Sequence, residues 1–180
     1  MTESPQSADL FRQTMGQSAQ LLEAWSNEEL SDEVLADQVT DLVRTRDGAR
    51  GFFATALVSN CPLMDRLPDP LVVGFQEVGE VVVEVTVSNL AMSAAMMVYH
   101  ERNGDLESKA GSERVQLRVR ELLQHLARGV GCADLVKARL ESLLQATQGQ
   151  GEYVAFLDRW GYDAEQRASI GEAVLAVADA

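Results

Sequence analysis

The sequence predicts an all-α fold, and three observations carry that expectation. Apolar residues recur at spacings of three and four along most of the chain, glycine and proline punctuate it into helix-sized pieces, and no two-residue hairpin turn interrupts the longest periodic stretch. The chain has 180 residues, 46% hydrophobic and 24% charged, the balance of one globular domain able to bury roughly 70% of its unfolded surface without disulfides or a metal. The expectation is therefore a single domain over residues 1–180, with six to eight helices around a long buried central helix and a flexible N-terminal tail over residues 1–6.

The first two helices follow from Phe11, Met15, Leu22 and Trp25, then from Leu35, Val39 and Leu42. Phe52 and Phe53 are adjacent, so the short helix from Ala49 to Val58 must be buried on more than one side. Asp69 suits an N-cap and Pro70 a first helical turn, which opens the central helix, running to about Arg102. Leu71, Phe75, Val78, Val82, Val85, Asn89, Met92, Met96 and Tyr99 form its main stripe, and Val83, Val87, Leu90, Ala94 and Met97 a second beside it. Apolar residues on so much of the circumference predict burial on several sides. Valine-rich 81–87 also alternates like a strand, so the competing reading is an α+β fold with a strand there. Helix is preferred because the three-four spacing continues on both flanks.

Val115, Val119, Leu122 and Leu126 give a further helix, as do Val136, Leu140, Leu143 and Leu144. Tyr153, Phe156, Leu157 and Trp160 form a short aromatic helix, and Asp163 with Gln166 three residues on is a capping box opening the last one. Gly129-Val130-Gly131 and Gly149-Gln150-Gly151 lack the third glycine of a dinucleotide loop and read as helix-ending turns.

With 28 acidic and 15 basic residues the net charge is −13, which repels phosphate backbones and argues against nucleic acid as a partner. Residues 1–47 hold ten acids against Arg12, Arg44 and Arg46. The longest charge-free apolar run, Val85 to Tyr99, is 15 residues long and carries polar side chains, so no membrane span is expected. The N-terminus lacks the basic and apolar regions of a signal peptide, which predicts a cytoplasmic protein. Cys61 and Cys132 have no zinc-type or redox spacing and read as inert thiols.

Catalytic signatures are absent: no nucleophile elbow, P-loop, H-E-x-x-H or dinucleotide fingerprint, and only two histidines. The reading therefore leans away from an enzyme, with no cofactor and no metal expected. Arg114, Arg118, Glu121, His125 and Arg128 lie opposite the apolar side of their helix and form a basic island in an acidic chain, suited to binding an acidic partner or an anion. Met92, Met96 and His100, four apart on one face, with Tyr153, Phe156 and Trp160, are candidates for lining an apolar ligand pocket. Glu77, Glu80 and Glu84 form a carboxylate line suited to a solvated edge or to salt bridges with arginines of another helix. Asn89 within an apolar seam can fix register between helices of one chain or support a homodimer. The function expected is a non-catalytic protein-interaction domain, binding a protein partner through the arginine-bearing helix or an exposed acidic surface. A helical carrier enclosing a small apolar ligand is the alternative.

Overall fold

A computed structural model describes residues 5–178, and the described residues form nine α-helices and one turn of 3-10 helix, with no strand. The expected N-terminal tail falls largely on residues 1–4, outside the described residues, and the first helix begins at Pro5. In chain order the helices are α1 (Pro5–Ser26), α2 (Asp32–Val43), α3 (Arg46–Ala56), α4 (Asp69–Val78), α5 (Glu80–Arg102), α6 (Leu106–Ala127), α7 (Ala133–Thr147), α8 (Val154–Arg159) and α9 (Ala164–Ala178), with the 3-10 turn at Pro62–Asp65.

Helix α5 is the axis of the bundle, about 35 Å long at 1.5 Å per residue, and α3, α4, α6, α7 and α9 all pack against it. Val82, Val83, Val85, Val87, Leu90, Ala91, Ala94 and Ala95 are buried along it, on nearly every side. That enclosure decides the conformation of the valine run. Each valine gives up less than about 0.7 kcal/mol of helix propensity relative to alanine, whereas burying its side chain returns roughly 1.5 kcal/mol or more. The run 81–87 is accordingly helical, and the strand reading is not realised. By length and composition α5 is the one helix among the described residues that would suffice to cross a membrane, but it is clad by its neighbours.

Polar groups inside this core are satisfied locally. The hydroxyl of Thr86 donates to the Val82 carbonyl (2.7 Å) and that of Ser93 to Leu90 (3.1 Å). Asn89 also turns back on its own helix, donating to the Val85 carbonyl at 2.9 Å. The last helix is keyed to α5 by side chains: Gln166 donates to the Ala95 carbonyl and Ser169 to that of Ala94. Asp163 and Gln166 form the expected reciprocal cap, each accepting from the other's backbone N–H. Phe52, Phe53 and Phe75 are fully enclosed and meet with ring centroids 5.2 to 6.0 Å apart, joining α3 to α4.

The single long helix expected over 70–102 is broken. Gly79 adopts φ +65 and ψ −105, ending α4 with its N–H on the Phe75 carbonyl and starting α5 with its own carbonyl accepting from Val83. Only glycine reaches this backbone region without steric cost, so the three-four pattern crosses a joint that the chain can bend. Residues 129–131 and 149–151 are turns, with positive φ at Gly131, Gly149 and Gly151.

Gly79→Ala is expected to destabilise the protein by about 1–2 kcal/mol with helix content unchanged. Urea-denaturation midpoints checked against far-UV circular dichroism will measure this.

Candidate functional site

The arginine stripe of α6 divides in the structure. Arg114, Glu121 and Arg128 are exposed and His125 is half-buried, but Arg118 is 3% exposed and points inward. Its Nε and Nη2 donate to the two oxygens of Asp65, both at 2.6 Å, and Nη1 donates to the carbonyls of Leu57 and Ser59 at 2.8 Å and of Ala56 at 3.4 Å. Arg118 thus caps the C-terminal end of α3 from another helix, placing positive charge where α3 leaves carbonyls without intrahelical partners. Its hydrogen bonds hold the Asp65 carboxyl below the ordinary value of 3.8; burial opposes this, and the charges of Arg118 and Arg114 add to it. As one member of a free basic face, Arg118 is therefore corrected: its guanidinium is occupied inside the fold.

The side chains expected to line an apolar pocket engage several different partners. Met92 and Met96 are half-buried, and His100 sits edge-on to Tyr99 with Nδ1 3.8 Å from Asp105. Tyr153 is buried but meets α5 at Glu84, donating its hydroxyl to that carboxylate at 2.6 Å, two turns or about 12 Å before Met92. Phe156 packs edge-on against Tyr153, whereas Trp160 is 53% exposed and stacks on Tyr162. Burial and the hydrogen bond to Glu84 raise the Tyr153 hydroxyl far above the ordinary tyrosine range, so it stays a neutral donor.

Glu80 and Glu84 pair with Arg139 of α7, which also holds Glu152 at 2.6 Å. Glu77 does not join them. It lies before the Gly79 joint and faces α2 across a groove of about 510 Å³. Along one wall run Glu33, Asp37, Asp41 and Arg44 of α2; the other wall is Pro70, Val73 and Glu77 of α4. The floor is set where the two helices touch: a Cβ on Gly74 would stand 2.0 Å from Thr40 Oγ1, so only glycine permits this approach. Arg44 donates to Asp41 at 3.2 Å, while among the described residues Asp37 and Glu77 have no ion-pair partner. The groove therefore presents excess negative charge beside Val73, which is 51% exposed. Its α2 wall is visible in the sequence as an acidic i, i+4, i+8 stripe; the opposite wall is not, because it depends on the Gly74–Thr40 contact.

Cys132 is buried and its thiol donates to the Gln76 carbonyl at 3.3 Å; burial raises its ionisation above the ordinary value. Gln76 also donates to the His125 carbonyl, tying α4 to the end of α6. Among the described residues no group of three or more His, Cys, Asp or Glu side chains is arranged to hold a metal ion.

A family profile described as uncharacterised conserved protein UCP020893 matches residues 10–177. The chain belongs to this family. No curated protein and no solved structure matches it.

Replacing Arg118 with alanine leaves three carbonyls without their donor and is expected to cost about 1–3 kcal/mol, read from urea midpoints; the exposed Asp65 carboxylate regains water. The contribution of the pair also has a defined pH window. It is fully present above the unfolded carboxyl value of about 4 and is lost as pH falls through the lowered folded value. Midpoints measured between neutral and acid pH should fall less steeply in Asp65→Asn than in the parent.

Proposed function

We propose that this chain is a non-catalytic, cytoplasmic protein-interaction domain whose groove between α2 and α4 receives a basic, amphipathic segment of a partner protein. The observation that carries this reading is the pairing of a concave surface with unbalanced charge: four carboxylates against Arg44, around Pro70 and Val73. A lysine- or arginine-bearing segment would place its charges over Asp37 and Glu77 and its aliphatic stems over Val73. Long basic side chains suit such a surface because the stem covers apolar area while the head stays in water. The net charge of −13 adds a field that steers basic partners toward the domain and away from polyanions. The arginine-bearing helix supports the partner role less, because Arg118 is engaged with Asp65 and only Arg114 and Arg128 of its expected cations remain outward.

The test compares partner recovery from the native cell by the parent, by Asp37→Lys with Glu77→Lys, and by Arg114→Glu with Arg128→Glu. The reading expects recovery to be lost in the groove variant and kept in the helix variant, with circular dichroism unchanged in both. A synthetic peptide of the recovered partner's basic segment should then bind the parent about tenfold or more tightly than the groove variant, and weaken with added salt. Recovery kept in the groove variant and lost in the helix variant moves the interaction to α6.

A further inference from the structure

Helix α1 encloses few of its apolar side chains although it packs along α3. Among its described side chains Leu22 is the one apolar group fully enclosed, while Phe11, Met15, Leu21 and Trp25 are half-buried. Its other enclosed side chains are Thr14 and Ser18, whose hydroxyls donate to carbonyls of α1 itself. α1 lies chiefly on α3, in a seam shaped for it: a Cβ on Gly51 would stand 2.8 Å from the Thr14 Cβ. Toward the far end of that seam a cavity of about 430 Å³ remains, lined by Ala19, Leu22, Thr55 and Cys61 among others.

The connection from α1 to α2 is under strain. The Glu29 N–H donates to the Ala24 carbonyl and the Glu28 N–H to Trp25, a helix-ending turn that puts Glu28 at φ +61. That left-handed position normally takes glycine, and Glu28 is the only non-glycine residue at positive φ among the described residues. The linker Asn27–Ser31 contains no glycine and no proline, and Glu28, Glu29 and Leu30 are good helix formers. Straightening it gives up the bond from Trp25 Nε1 to Asp32 (2.8 Å) and the Ser31 cap, whose hydroxyl accepts from the Val34 N–H (3.3 Å), and relieves Glu28.

We propose that two copies of this chain dimerise by reciprocal exchange of α1. In the dimer the linker becomes helical, α1 and α2 run as one helix, and each α1 docks on α3 of the second copy. The occupant is a second copy because the close approach of Thr14 to Gly51 fits the surface of α1 itself. Short strained hinges favour this kind of exchange, and α1 regains on α3 of the second copy the contacts it gives up on its own. The net charge of −13 on each copy opposes association, so added salt favours the dimer.

The test uses the full chain carrying Ser26→Cys. Ser26 Oγ lies 3.1 Å from Cys61 Sγ, so oxidation bridges positions 26 and 61 within one chain in the monomer and between chains in the exchanged dimer. Samples refolded dilute and concentrated in high salt are oxidised and run on non-reducing gels. Light scattering on the chain without Ser26→Cys gives the same comparison free of the added thiol. A dimer that grows with protein concentration is expected. It should fall about fivefold or more on adding Glu28→Gly, which relaxes the turn and weakens the helical linker, and persist or rise with Glu28→Ala. Monomer at every concentration, or a dimer yield indifferent to Glu28→Gly, overturns the proposal.

Discussion

Burial of α5 on nearly every side is the constraint on which the rest of the structure depends. A helix rich in β-branched residues is weak on its own, and its valines become favourable only when neighbouring helices remove them from water. Five helices do so, and their placement follows from the surface that α5 offers. Its small residues admit α9 closely enough for Gln166 and Ser169 to reach the carbonyls of Ala95 and Ala94. Its hydroxyl groups face the core without penalty because they bond within the helix.

The elements legible in the sequence are those whose signal is local. The three-four spacing locates the helices, Asp163 and Gln166 announce the last one, and the paired glycines mark the turns after α6 and α7. The pairing of Glu80 and Glu84 with an arginine of another helix is also realised, through Arg139. The break at Gly79 escapes a periodicity argument because apolar residues continue in step on both sides, while the backbone geometry that divides them carries no side-chain pattern. Arg118 illustrates a finer limit. At 100° per residue it lies about 60° from Val115 on the helical wheel, against about 140° for Arg128. It therefore stands at the edge of the apolar stripe, but nothing local says that the end of α3 lies within its reach.

One glycine also explains how the carboxylate line is shared out. In a continuous helix Glu77, Glu80 and Glu84 would occupy one face and meet one neighbour. The turn at Gly79 sends the first toward α2 and leaves the other two facing α7. A single stripe in the sequence thereby serves two electrostatic roles: a cross-helix tie at Arg139, and one wall of an open groove.

The arginines are distributed along the same lines. Arg102 joins α5 to Asp163 and Glu165 at the start of α9, Arg118 holds Asp65, Arg139 gathers three glutamates, and Arg167 pairs with Asp158. Each of these bonds links segments that are separate in sequence or fixes a loop to a helix. With 15 basic residues set against 28 acidic ones, positive charge engaged in this way is matched to carboxylates of other segments, and the excess negative charge is left where no arginine of another segment reaches. The groove between α2 and α4 is such a place. Its acidity thus follows from the same cross-helix ties that give the bundle its connections, and a partner bringing its own cations would supply there what the chain uses elsewhere to hold its helices together.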